Sequence, residues 1–123
     1  VQMSCGFDAA VDKVTEALKT EGFGVLTEID VKATLKKKID VDRRPYKILG
    51  ACNPRLANRA INAERGIGVL LPGTVVVREE ATGAVTVAVM ERNAVLSLVE
   101  QGGIEQLAGE VRAKLERVRD QLS

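Results

Sequence analysis

The sequence predicts a two-layer α+β domain, in which helices cover one face of a mostly antiparallel sheet. Two observations predict this fold: long amphipathic helices near both ends of the chain, and a hairpin of alternating valines in its second half. A chain of 123 residues is long enough to bury about two thirds of its unfolded surface in one core. We therefore interpret residues 1–123 as a single domain.

Apolar residues at helical spacing mark the two long helices. The first is predicted from about residue 7 to 21, and Gly22 is a natural left-handed stop after it. Its apolar positions are Phe7, Val11, Val14 and Leu18. The last helix has a continuous stripe with alternating charges opposite. The members of that stripe are Ile104, Leu107, Ala108, Val111, Leu115, Val118 and Leu122. A short helix is also predicted over residues 93–99.

Four strands are predicted between these helices. They cover residues 23–29, 45–52, 69–79 and 84–90. In the first strand, alternation places Phe23, Val25 and Ile29 on one face and Leu26 on the other. The last two strands form a hairpin, with residues 80–83 as its turn. The Pro72-Gly73 pair interrupts the first strand of that hairpin and indicates a bulge or an edge.

Two shorter helices begin at capping residues. Asp30 can accept hydrogen bonds from the first amides of a helix in which Val31, Leu35 and Ile39 share a stripe. The lysines of this helix are predicted to be mostly solvated; they are Lys32, Lys36, Lys37 and Lys38. Asn53-Pro54 starts the next helix, because Asn caps well and Pro suits the first helical position. Its predicted buried face is Leu56, Ala57, Ala60 and Ile61, and it ends near Arg65-Gly66.

Composition argues against several function classes. The 18 basic and 17 acidic residues give a net charge of +1, and only three aromatic residues are present, two Phe and one Tyr. Nucleic-acid binding needs a basic excess and stacking platforms, so nucleic acid is not an expected partner. The apolar runs fall far short of the roughly 20 residues that cross a bilayer, so no membrane contact is expected. The absence of histidine removes the usual general base and metal ligand.

The two cysteines, Cys5 and Cys52, are too few for a disulfide framework or a four-thiolate zinc site. Two unpaired thiols fit a reducing compartment, so a cytoplasmic location is expected, although a removed signal peptide would leave no trace. We expect neither a metal nor another cofactor. Catalysis by a thiol is disfavoured, because no histidine can activate Cys52 and no resolving cysteine is evident from the spacing.

Three segments resemble the domain of unknown function 302 family over nearly the whole chain. They are residues 22–30, the Tyr46-Lys-Ile-Leu-Gly-Ala-Cys-Asn-Pro54 stretch, which is the most specific, and residues 68–72. The resemblance implies a TATA-binding-protein-like two-layer fold and self-association, and it implies no activity. Where the family pattern reads Leu-Leu-Pro-Cys-Asn, this chain has Leu71-Pro72-Gly73-Thr74, so no two-cysteine site is carried over.

The strand-end turn is the candidate site, with Cys52, Asn53 and Arg55 as its ligand-binding residues. The free amides and dipole of a helix start favour negative charge and can lower the pKa of a nearby thiol. A bound anion would also relieve the unfavourable position of Arg55, a cation in the first turn. The alternative is structural: Cys52 is a small buried residue sharing a face with Tyr46 and Ile48, and Arg55 reaches solvent.

Charge is unevenly distributed along the chain. Residues 31–65 contain ten basic and three acidic side chains, a net charge of +7, which leaves −6 for the remainder. This pattern supports two hypotheses about function. The first is a binding module for a small anionic ligand at the candidate site. The second is a homodimeric structural or interaction module without a ligand, in which the oppositely charged regions of two copies meet.

Overall fold

The structure is a computed structural model, and it describes residues 1–63, 65–66, 73–89 and 102–122. Four helices and five strands occur in these residues. In chain order they are β1 (Gln2–Met3), α1 (Phe7–Thr20), β2 (Gly24–Asp30), α2 (Val31–Ile39), β3 (Tyr46–Cys52), α3 (Pro54–Ala63), β4 (Gly73–Glu79), β5 (Val85–Val89) and α4 (Gly102–Leu122).

The five strands form one antiparallel sheet in the order β1-β5-β4-β3-β2. The predicted α+β fold is therefore confirmed. The sequence did not predict β1, because a strand of two residues is too short to show alternation. Its pairing with β5 is extended by the amide of Val87, which donates to the carbonyl of Val1 at 2.8 Å.

One face of the sheet, which we call the inner face, carries the core. Its buried side chains are Leu49, Ala51, Val75, Val77, Val85 and Val87. α1 covers this face with Ala10, Val14 and Leu18, and α4 adds Val118 and Leu122 to the same cluster. Nearly all of these side chains are aliphatic, as a chain with so few aromatic residues requires. Packing both long helices on this face buries the apolar stripes of the helices and the apolar face of the sheet against each other.

The end of α1 confirms that Gly22 stops this helix. The amide of Phe23 donates to the carbonyl of Leu18 at 2.9 Å, and that of Gly22 donates to Lys19 at 3.0 Å. This pair of bonds is the Schellman motif, which needs a left-handed residue. Gly22 supplies it with φ of +83°. Phe23 and Leu18 are both buried, so the hydrophobic contact that accompanies the motif joins the core.

The predicted alternation along β2 is wrong. The register with β3 shifts between Val25 and Thr27, which makes Leu26 an extra residue in a bulge. A bulge displaces the alternation by one position. Val25 therefore pairs with the buried Ala51 on the inner face, whereas Ile29 pairs with Ile48 on the opposite, outer face. Local spacing cannot reveal this, because the bulge depends on how β2 pairs with β3.

Two further predictions need correction. From Gly73 onward β4 is neither bulged nor an edge strand, since it lies between β3 and β5 with a continuous register, whereas Pro72 lies outside the described residues. Ile61 is exposed, because α3 buries only Leu56 fully. Other predictions fall outside the described residues: strand residues 69–72 and 90, the helix over 93–99, and the side chains of Ile104, Leu107 and Ala108.

Asp30 and the helix after it agree with the sequence analysis. Its Oδ1 accepts a hydrogen bond from the amide of Ala33 at 2.9 Å, and α2 covers residues Val31–Ile39. Two members of the predicted stripe, Val31 and Leu35, are half-buried, whereas Ile39 is exposed. α2 contacts β2 and β3 but contains no fully buried residue. It is therefore only loosely covered by the rest of the described chain.

The core assignment predicts a large effect at Leu18, which is fully buried in α1. Leu18→Ala is expected to lower the free energy of unfolding by about 2–5 kcal/mol, because it removes buried methyl groups and leaves a cavity. Ile61→Ala, at an exposed helical position, is the control and should cost less than about 1 kcal/mol. Guanidinium denaturation measures both, and equal losses would contradict the assignment of the inner face as the core.

Candidate functional site

The strand-end turn joins β3 to α3 and contains the three predicted site residues, Cys52, Asn53 and Arg55. Asn53 lies between the strand and the helix, and its side chain is buried. Its Oδ1 accepts a hydrogen bond from the amide of Leu56 at 3.3 Å, and its carbonyl accepts one from Ala57 at 2.8 Å. Asn53 is therefore the helix cap that the sequence predicts.

The other end of the Asn53 amide connects this turn to α1. Its Nδ2 donates to the carbonyl of Glu21 at 3.3 Å, in the residue that follows α1. A Cβ atom on Gly22 would lie 3.0 Å from that Nδ2. Gly22 is thus required both by its positive φ and by the close approach of Asn53. The buried amide ties the end of α1 to the start of α3.

The same junction also includes α4. The Glu21 carboxylate pairs with Arg117 of α4, with 2.6 Å between Oε1 and Nε. One residue further back, the Thr20 hydroxyl accepts a hydrogen bond from Gln121 at 2.8 Å. Glu21 therefore contacts both neighbouring helices: its carbonyl accepts a hydrogen bond from Asn53, the cap of α3, and its carboxylate pairs with Arg117 of α4. The sequence analysis missed Glu21, because its partners lie 32 and 96 residues away along the chain.

These hydrogen bonds leave few amides for a ligand at the start of α3. Pro54 has no N–H, and the amides of Leu56 and Ala57 already have partners. Of the first-turn amides, that of Arg55 remains. The Arg55 side chain is exposed and has no hydrogen-bond or ion-pair partner among the described residues. The turn thus offers an anion one amide and one guanidinium.

Cys52 is the last residue of β3 and pairs with Gly24 of β2. Its side chain is half-buried on the outer face, the face that it shares with Tyr46 and Ile48 through strand alternation. Cys5 is also half-buried and packs against the core, and both cysteines are free thiols. Within the described residues no three His, Cys, Asp or Glu side chains are grouped so that they could hold a metal ion.

The family model for DUF302, a domain of unknown function, matches residues 1–122 of this chain. The chain belongs to the DUF302 family. The crystal structure of an uncharacterized conserved DUF302 protein from Bacillus stearothermophilus is similar, with a TM-score of 0.91 and 28% sequence identity. The match covers 100% of this chain and 95% of that one. No curated protein matches.

These comparisons confirm the resemblance seen in the sequence motifs and the α+β fold of this DUF302 chain. They assign neither a ligand nor a reaction, so the candidate site rests on its own geometry. None of the helices in the described part of the chain is long and apolar enough to span a membrane. The geometry gives Asn53 a structural role at a junction of three helices, and ligand binding by Cys52, Asn53 and Arg55 stays a prediction.

The two hydrogen bonds of Asn53 predict a graded loss of stability. Asn53→Ala removes the cap and leaves the Glu21 carbonyl without its partner, so we expect a loss of about 2–4 kcal/mol. Asn53→Asp keeps the accepting oxygen but cannot donate to Glu21, and its loss should be intermediate. Urea denaturation gives both values. If Asn53→Ala unfolds at the wild-type urea concentration, the junction is not stabilised by this side chain.

Proposed function

We propose that this DUF302 chain works as a homodimeric interaction module that associates through one side of its sheet. The proposal rests on four exposed aliphatic residues, which we call the β2 side: Leu26, Ile29, Ile39 and Val41. They are four of the five large exposed hydrophobic residues in the described chain, and Leu26 and Ile39 are 67% and 63% exposed. All four lie within residues 26–41, in β2, in α2 and just after α2, and exposed apolar residues concentrated in one segment favour an interaction surface.

The backbone of β2 supports the same surface. Within the described residues β2 is the terminal strand of the sheet, and it pairs only with β3. The N–H and C=O groups along its other edge are therefore available for pairing with another strand. Natural proteins normally protect such edges against pairing of this kind. A second β2, related by a two-fold axis, would pair with this edge and cover the exposed residues of both copies.

Charge favours a second copy as the occupant. Residues 24–42, which contain the β2 side, have four acidic and four basic side chains. The +7 excess of residues 31–65 therefore lies largely outside this surface, in the residues after 42. Two copies would meet here without net repulsion, whereas a strongly charged partner would gain little from a neutral surface. The charge asymmetry along the chain predicts a dimer in which oppositely charged regions of two copies meet. The features of β2 favour instead a dimer in which neutral, apolar surfaces meet.

The size of the surface sets the expected affinity. The seven residues of β2 extend over about 23 Å, and α2 beside it adds a width of about 10 Å. In projection this surface covers a few hundred Å², below the about 800 Å² that each partner of a standard specific interface buries, so the contact is a weak one. We therefore expect dissociation in the micromolar range.

Analytical ultracentrifugation tests the dimer with a matched pair of variants. Ile29→Lys places a charge on the β2 side and should weaken association by roughly tenfold or more, because Lys on an edge strand blocks pairing. Ile61→Lys is the control, since Ile61 on α3 is 43% exposed and Ile29 is 44% exposed. A wild-type chain that stays monomeric at about 300 µM and low salt overturns the proposal. Equal weakening by both variants would also do so.

Anion binding at the start of α3 is the second candidate function. The observation that favours it is the exposed side chain of Arg55, which has no partner in the described structure and belongs to the residue whose backbone amide is the open one of the first turn. Against it stands the engagement of the other amides by Asn53. A single amide and a single guanidinium predict weak binding of a small anion such as sulfate.

Titration calorimetry with sulfate tests this second candidate. Arg55→Glu should weaken binding by about 1–3 kcal/mol, the value of a lost charged hydrogen bond, with little change in stability. Arg65→Glu makes the same substitution at an exposed position after α3 and should leave binding unchanged. Cys52→Ser separates the roles of the thiol, since a contacting sulfur alters affinity while a packed one lowers the melting temperature. No heat of binding to the wild type would end this candidate.

A further inference from the structure

A polar groove lies at the opposite end of β3 from the candidate site. It has a volume of about 850 Å³ and opens between α2, the segment that enters β3 and the turn that follows β4. Tyr46 and Arg78, which are direct cross-strand partners, form part of its wall. The volume is within the range of about 300–1,000 Å³ that is typical of small-molecule sites.

Some charged groups of this groove neutralise one another. Arg78 pairs with Glu80, with 2.7 Å between Nε and Oε1. Asp42 pairs with Lys36, whose Nζ lies 3.2 Å from its carboxylate. These two acidic residues are therefore engaged by cations of the chain itself.

The remaining charges of the groove are mostly positive. Lys32, Arg43 and Arg44 line it, are exposed, and have no hydrogen-bond or ion-pair partner among the described residues. Glu79 is the acidic residue of the lining whose carboxylate is likewise unpaired in the described chain. Three cations thus face one carboxylate. A cleft with such an excess attracts and concentrates anions.

The Glu80 carboxylate is held by its neighbours. A hydrogen bond from Thr86, together with the bond from Arg78, lowers the pKa of this carboxyl group below its ordinary value. The nearby charge of Arg44 makes a smaller contribution in the same direction. Glu80 remains ionised and bound to its neighbours, and it does not compete for Arg43 or Lys32.

We propose that this groove binds a small phosphate compound that carries two or more negative charges. Arg43 and Arg44 can each present a guanidinium fork that matches the geometry of phosphate oxygens, and Lys32 adds a mobile point charge. The Tyr46 hydroxyl, which has no hydrogen-bond partner in the described chain, supplies a further donor at the wall. A phosphate dianion would balance the excess of unpaired cations. The site at Arg55 lies at the other end of β3, and of the four residues of the β2 side only Val41 also lines this groove.

Calorimetric titration with pyrophosphate at constant ionic strength tests the proposal. The double variant Arg43→Ala/Arg44→Ala should weaken binding by about tenfold or more, because two charged forks are lost. Both residues are exposed in a connecting segment, so the variant should unfold at the wild-type temperature. Arg65→Ala removes an exposed arginine outside both proposed anion sites and is the matched control, with unchanged binding expected.

Three outcomes would overturn the proposal. One is the absence of pyrophosphate binding to the wild type. Another is loss of binding in Arg55→Ala with retention in the double variant, which would place the anion at the start of α3. The third is equally tight binding of citrate, since a groove that takes tricarboxylates as well as phosphates is a general cation cluster.

Discussion

Both long helices lie on the same face of the sheet, and this one-sided packing is the constraint on which the rest of the structure depends. α1 and α4 bury the inner-face residues, among them Leu49 and Val77, which are fully inaccessible. Because the two long helices cover the inner face, β2 and α2 lie at the far edge of the sheet, and α2 buries no residue fully. The exposed residues of the β2 side follow from this arrangement. They are the apolar surface that two layers do not cover.

The second constraint is the buried amide of Asn53. A buried polar side chain is tolerated only when its donors and acceptors have partners, and Asn53 obtains them from Leu56 and Glu21. Those partners belong to two different helices, so the side chain fixes their relative position. They also occupy the groups that make a helix start attractive to anions. One residue type at one position thus explains both the order of this turn and its limited capacity to bind a ligand.

Local signals predicted much of this fold, and long-range pairing decided the rest. The helix stop at Gly22, the cap at Asp30 and the cap at Asn53 all depend on neighbours within a few residues, and all are present. The bulge at Leu26 depends on the register with β3, and it reverses the face of Ile29. The sequence therefore predicted Ile29 on the same face as Val25, although the structure places it on the outer face and exposes it.

The distribution of positive charge also could not be predicted from local sequence alone. The basic excess of residues 31–65 is a property of the sequence, but the fold divides it between the two ends of β3. The seven residues of this strand separate the ends by about 20 Å. That separation exceeds the screening length of about 8 Å at physiological ionic strength, so Arg55 contributes little to the potential beside Arg44. Counting charges along the chain predicts one basic region. In three dimensions there are two basic regions, one at each end of β3. The end near Arg44 has a groove of ligand size, three unpaired cations and a hydroxyl donor, whereas the end at Arg55 offers one amide and one guanidinium.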